Sequence, residues 1–204
     1  MSSLILSSHY FPCIAYFALL VKNEKVVVDT GAHFIKQSYR NRCVIYSSNG
    51  KLALSIPVLK KNKTPLKDVL LDFKTDWRKS HWKSISSAYN SSPFFEFYED
   101  DLKDVFFGKY TTLAELNTAL LRHICKELNI LLNLELSKDY IITTDYASDF
   151  REALDAKKPY PGAEEFPRYI QIFEEKHGFI SNLSILDLLF HEGPETLNYL
   201  KNLA

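Results

Sequence analysis

Glycine is scarce in this chain of 204 residues: Gly31, Gly50, Gly108, Gly162, Gly178 and Gly193 are all there are, and no two lie closer than fifteen positions. Dinucleotide fingerprints, P-loops and nucleophile elbows each need two or more glycines within a few residues, because backbone must approach phosphate or turn sharply. All three are excluded. A bound phosphate would have to be gripped by side-chain cations or by one helix N-terminus. Cysteine is equally sparse. Cys13, Cys43 and Cys125 form no CxxC pair, so a zinc ribbon or thioredoxin-like centre has no support, and buried thiols in a reducing cytosol are expected. Charge of one sign is also lacking, since 25 basic residues balance 25 acidic ones. A general nucleic-acid binder shows a basic surplus, so nucleic acid is not an expected partner. Long hydrophobic runs are absent too. The apolar start, Met1 to Leu20, has no basic n-region and is interrupted by His9 and Pro12, which argues against a signal peptide or a membrane span and for a cytoplasmic protein.

What is present is ordinary globular composition, 46% hydrophobic and 25% charged, enough for one domain over residues 1–204 with a core that needs no staples. Leu4-Ile5-Leu6 and Val26-Val27-Val28 read as buried strands, joined by a helix from Ile14 to Lys22. Strand, helix, strand within thirty residues is the pattern of a parallel α/β unit. Cys43–Tyr46 and Leu52–Val58 flank an Asn49-Gly50 turn, which predicts a hairpin. Helices are expected over 76–90 and 113–128, further strands over 130–136, 140–143 and 169–173, and helices again over 183–190 and 194–203. Residues 157–167, with three prolines and a glycine, read as an ordered loop or lid. The fold class is therefore α/β: an N-terminal strand-helix-strand unit with a hairpin, a mixed sheet, and a largely helical C-terminal half.

The densest polar cluster is Lys36-Gln37-Ser38-Tyr39-Arg40-Asn41-Arg42, with three cations, a phenol and two amides between a strand end and the hairpin. Arginine forks grip phosphate or carboxylate in pairs, and α/β sheets hold ligands beyond the C-terminal ends of their strands. The alternative is a solvated basic turn pairing with the acidic stretch near Asp100. His9 follows the first strand and should lie near Asp29 if the two strands are neighbours. The pair could form a general base with its orienting carboxylate, or a structural hydrogen bond. His81 shares a helix face with Trp77, Ile85 and Tyr89, so it is either a satisfied core histidine or a buried catalytic one. Asp187 interrupts an apolar run but fits the S-x-x-D capping pattern from Ser184. Gln171, between Tyr169 and Phe173, could hydrogen-bond a sugar. His191 and Glu192 diverge on a helix and lack a third ligand at helical spacing, so no metal site is expected.

The run Tyr10-Phe11-Pro12, Tyr16-Phe17, Phe34-x-Lys36-x-Ser38-Tyr39-Arg40-Asn41-Arg42 and Ile56-Pro57-Val58 resembles the WbqC-like family of bacterial proteins. The likeness continues through Trp77, His81-Trp82, Tyr89, Ser92-Pro93-Phe94-Phe95, Asn117, Tyr169-x-Gln171-x-Phe173 and Leu183 to Phe190, nearly the full chain in order. One departure stands out. Members often begin His-Gln-Pro-Asn-Tyr-Leu-Pro-Trp, where this chain has Leu6-Ser7-Ser8-His9-Tyr10-Phe11-Pro12-Cys13. If the leading histidine is the base elsewhere in the family, His9 or His81 must stand in here. The resemblance implies an acyl or aminoacyl transferase acting on a nucleotide-linked or phosphorylated amino sugar in surface-polysaccharide (O-antigen) synthesis. In that reading Lys36, Arg40 and Arg42 hold phosphates and Tyr39, Asn41, Tyr89 and Gln171 contact the sugar. His81 or His9 takes the proton, oriented by Asp29 or Asp187. The alternatives are a non-catalytic sugar- or acyl-carrier-binding protein and a nucleotidyltransferase-like enzyme using ATP. Cofactor and oligomeric state stay open. The reading requires Arg40, Arg42, His81 and Gln171 to converge on one cleft.

Overall fold

The computed structural model describes residues 4–60, 63–131, 133–142 and 148–203. β1 (Leu4–Ser7), α1 (Ile14–Val21) and β2 (Lys25–Asp29) form the expected opening unit, with every residue of β1 buried and β2 paired to it in parallel. The antiparallel hairpin β3 (Arg42–Ser47) and β4 (Gly50–Ser55) follows. Its turn sits one residue earlier than the Asn-Gly cue suggests. Ser48 and Asn49 are the turn, and Gly50 follows in the left-handed region at φ +91, where glycine carries no Cβ penalty. The short strands β5 (Val58–Leu59) and β6 (Leu70–Leu71) pair antiparallel.

Three helices make up the middle: α2 (Trp77–Tyr89), α3 (Phe95–Phe106) and α4 (Leu113–Glu127). Asp76 caps α2 by accepting from the Lys79 amide, and Thr112 with Glu115 closes a full capping box on α4. α4 buries the stripe Leu113, Leu116, Leu120 and Ile124 against the core.

β7 (Asn133–Leu136) pairs in parallel with β2, and β8 (Ser148–Asp149) pairs in parallel with β1. The expected strand over 140–143 is not found. Residues 140–142 carry no strand, and Thr143 lies outside the described residues. The expected strand at 169–173 is also absent, although its alternation of sides is real: Tyr169 and Gln171 are buried while Ile170 is 82% exposed. These residues make side-chain rather than ladder contacts. A four-residue helix α5 (Glu174–His177), the buried α6 (Ile185–Glu192) and α7 (Thr196–Asn202) complete the chain.

The parallel sheet runs β7-β2-β1-β8. Successive connections move outward from β1 to β2 to β7, and the chain then returns to the other side of β1 to add β8. The direction of winding reverses between β1 and β8. In open α/β sheets that reversal leaves a crevice at the C-terminal strand ends, where ligands sit.

Candidate functional site at the strand-order reversal

Three strand ends meet at this edge: Ser7-Ser8-His9 after β1, Asp29 closing β2, and Arg151 just beyond β8. The Lys36–Arg42 loop is laid over them by backbone, the Tyr10 amide donating to the Tyr39 carbonyl at 2.9 Å. From α4, Asn117 Nδ2 donates to Ser8 Oγ at 3.2 Å and to the Arg40 carbonyl at 2.8 Å. Loop, strand end and helix are thereby tied at one point.

Two buried arginines occupy the crevice in opposite circumstances. Arg151 is saturated. Its guanidinium donates to both Asp149 oxygens, to Asp29 Oδ2 and to the Ile141 carbonyl, and these hydrogen bonds push it above its ordinary range. Asp29 is saturated as well. Its Oδ1 accepts from the Gly31 and Ala32 amides and from Ser137 Oγ, each within 3.0 Å. Gly31 is required here because a Cβ would come 2.1 Å from the Asp139 backbone.

Arg40 is different. Its side chain is 6% exposed, yet it has one hydrogen bond, Nη2 to Ser7 Oγ at 3.1 Å, and a loose ion pair at 3.7 Å to Glu152, itself 80% exposed. Its buried Nε has no partner among the described residues. Burial without matching acceptors lowers its affinity for its own proton. A buried cation left short of acceptors is costly, and an incoming oxyanion would supply what is missing. The expected partner near Asp100 is not the one found.

His9 lies against the rings of Tyr16 and Tyr39, with centroids 5.1 and 5.6 Å away. Burial first, and the Arg40 charge second, lower it to about 3, and its buried Nδ1 has no partner among the described residues. It is a neutral imidazole in the free protein. β1 and β2 are neighbours as expected, with Ser7 opposite Asp29, but Asp29 is committed to Arg151 rather than to His9.

A cavity of about 110 Å³ opens over Arg40 and Arg151, with Lys36 and Lys157 at its rim and Glu152 and Asp155 beside them. Lys36 and Lys157 have no ion pair among the described residues. Arg42 and Asn41 turn away: Arg42 Nε donates to Ser55 Oγ, and Asn41 Nδ2 to the Ile56 carbonyl, stitching the loop to β4.

The other expected site residues belong to different neighbourhoods. His81 Nδ1 is 3.0 Å from the Tyr10 hydroxyl and packs edge-on to Trp77, and burial lowers it to about 4. Asp187 is fully buried and accepts from Tyr89 at 3.0 Å, Tyr169 at 2.6 Å and Gln171 at 2.7 Å. Burial raises its carboxyl, and these donors oppose the shift. Ser184 caps α6 as the S-x-x-D pattern suggests, accepting from the Leu186 amide, but the Asp187 carboxylate faces this cluster. Gln171 is equally committed, its Oε1 accepting from Ile180 N and its Nε2 donating to Ile180 O, Tyr169 and Asp187. So Arg40, Arg42, His81 and Gln171 do not share one cleft. Arg40 and Lys36 share a cavity with Arg151 and Lys157; behind it Ser7 accepts from Arg40, and His9 packs on Tyr39, which lines the hollow on the other side. Ser7, Arg151 and Lys157 are not among the candidates the sequence offers. No residue type or spacing marks those three in the sequence, since pairing across the sheet is what assembles them.

The first helix offers no phosphate seat. Ile14 N donates to the Leu183 carbonyl and Ala15 N to Asn182 Oδ1, so the amides that would cradle an anion are occupied by the chain itself. Side-chain cations are left to do that work. The parallel sheet with His9 at its edge suits the ATP-using alternative, but this stoppered helix does not.

Residues 7–164 match the WbqC-like protein family. The chain belongs to that family. The matched span runs from Ser7 to just beyond Tyr160, so both walls of the WbqC-like crevice lie within it, whereas Asp187, Tyr169 and Gln171 lie beyond. Among curated proteins the chain is similar to "Uncharacterized protein Rv1507c" of Mycobacterium tuberculosis (strain ATCC 25618 / H37Rv). The two are 28% identical over 226 residues, covering 97% of this chain and 96% of that one. No solved structure matches the chain. Among the described residues no helix is long and apolar enough to cross a membrane, and no group of three or more His, Cys, Asp or Glu side chains could hold a metal ion.

Proposed function

We propose that this WbqC-like protein binds a nucleotide-linked or phosphorylated amino sugar at the β1/β8 crevice and transfers an acyl or aminoacyl group to its amine in surface-polysaccharide synthesis. The observation that carries the reading is Arg40: buried, short of acceptors, and rimmed by Lys36 and Lys157, which have no ion pair among the described residues. A phosphate there accepts from Arg40 and neutralises the charge that helps to depress His9. The His9 conjugate acid then weakens, so the imidazole becomes a better base on substrate binding. In the transfer step the sugar amine attacks the acyl carbonyl carbon and a C–N bond forms. The bond from that carbon to its carrier oxygen or sulfur breaks, and the amine proton passes through His9 to the leaving group. Tyr39, against the imidazole, orients the ring.

Calorimetric titration with phosphorylated and nucleotide-linked amino sugars tests the binding half. Arg40→Lys keeps a charge but loses the fork, and is expected to weaken binding about tenfold or more. Mass spectrometry of reactions supplied with aminoacyl or acyl donors tests the transfer half. Unchanged affinity in Arg40→Lys would refute the site.

A second reading, binding without transfer, draws on the two histidines, held at about 3 and about 4 in the free protein and so far from a poised general base. Tight binding with no product from any donor class would favour it.

A further inference from the structure

A second hollow, of about 340 Å³, lies on the other side of the wall that encloses the Arg40 cavity. Two segments build that wall, and their side chains alternate across it. Ser38 and Arg40 face the small cavity while Tyr39 faces the large one; Asp155 lines the small cavity, Ala156 the large one, and Lys157 both. The floor is the outer face of the hairpin. Val44 and Lys51 lie on one side of it, because Lys51 pairs with Tyr46, two residues from Val44, while Cys43, Ile45 and Leu54 face the core.

The lining chemistry is one-sided. Lys51, Lys157 and Lys158 are cationic, no lining residue is acidic, and none of the three has an ion pair among the described residues. Tyr39 and Tyr160 supply two ring faces, and Asn182, whose Oδ1 is taken by Ala15 N, keeps an amide Nδ2 with no partner among the described residues. Cations with no ion pair among the described residues, two tyrosines in the lining and an available amide suit a flat heterocycle carrying phosphate. The small cavity has room for little more than a phosphate, whereas the large one has the size of a mononucleotide site.

We propose that the large hollow seats the nucleoside of a nucleotide-linked substrate, its base against Tyr39 and Tyr160 and its phosphates passing Lys157 toward Arg40. This rests on the function proposed above and narrows it: the substrate is nucleotide-linked rather than a simple sugar phosphate. The asymmetric wall makes Lys157 the shared contact and assigns the base and the phosphates to separate cavities.

The test compares inorganic phosphate with the four ribonucleoside 5′-monophosphates and thymidine monophosphate, by calorimetry on the full-length protein at low ionic strength. At least one nucleotide is expected to bind about tenfold or more tightly than phosphate, as one stacked base allows. Tyr160→Ala should abolish that advantage while leaving phosphate affinity unchanged. Because Tyr160 is half-buried, the exposed Lys51→Ala serves as a second variant and should also weaken the nucleotide alone. If every nucleotide binds no better than phosphate, or if both variants match the wild type, the nucleoside seat is refuted while the phosphate site stands. If phosphate itself fails to bind and Arg40→Lys changes nothing, the underlying function falls as well.

Discussion

At the scale of single residues, the difference between Arg40 and Arg151 organises the site. Both are buried arginines beside the β1 end, but Arg151 has two carboxylates and a carbonyl, and Arg40 has one hydroxyl and a distant, solvated glutamate. The Lys36–Arg42 cluster was legible in the sequence as an anion grip, because three cations in seven residues announce themselves. Which of them would be buried was not legible, since that depends on Ser7 and Asn117 from distant elements. The histidines make a prediction about stability. His9 and His81 are lowered from an unfolded value of 6.5 to about 3 and about 4, so between pH 6.5 and 4 the unfolded chain binds two protons that the folded chain refuses. Stability is full above pH 6.5 and falls on acidification, by about 1.4 kcal/mol per pH unit for each histidine. Urea denaturation from pH 7 to 4 should show this slope, and His9→Gln should lower it by one proton; an unchanged slope would contradict the burial of His9. Asp187, a buried carboxylate with three donors, depends on each of them. Tyr169→Phe should cost about 1.5–3 kcal/mol without altering phosphate affinity, measured by denaturation and calorimetry together.

Among the elements, α1 shows how the C-terminal half conditions the site. Its first amides are taken by Asn182 and Leu183, Ser184 Oγ donates to the Phe11 carbonyl, and Ile185 N to that of Pro12. The turn after β1, which carries His9, is thereby clamped, with Phe11 itself in the left-handed region at φ +39. Asn182→Ala should destabilise the fold by about 1 kcal/mol, as loss of a cap does, and a thermal melt would register it. No sequence pattern marks Asn182 as that cap, because it lies 167 residues from the amide it serves. The long amphipathic helices were readable from periodicity alone. β8 was not: two polar residues become a strand only because Leu4 and Ile5 offer an open parallel edge. The stretch 169–173 erred in the opposite sense, its alternation satisfied by Asp187 and Ile180 instead of a neighbouring strand.

For the whole molecule, the strand order β7-β2-β1-β8 is what turns scattered residues into a crevice. The opening parallel unit was foreseeable from thirty residues of sequence, but the reversal that creates the site needs β8, and so the site's outer wall stayed hidden with it. A ligand held there binds only the folded chain. At one hundred times its dissociation constant it should stabilise the protein by about 2.7 kcal/mol, and Arg40→Lys, binding about tenfold more weakly, should lose about half of that gain at the same ligand concentration. The most direct measurement is a crystal structure with the nucleotide-linked amino sugar that binds best. Its phosphate oxygens are expected within hydrogen-bonding distance of Arg40 and Lys157, beside His9. Phosphates bound at any other surface, with the β1/β8 crevice empty, would contradict it.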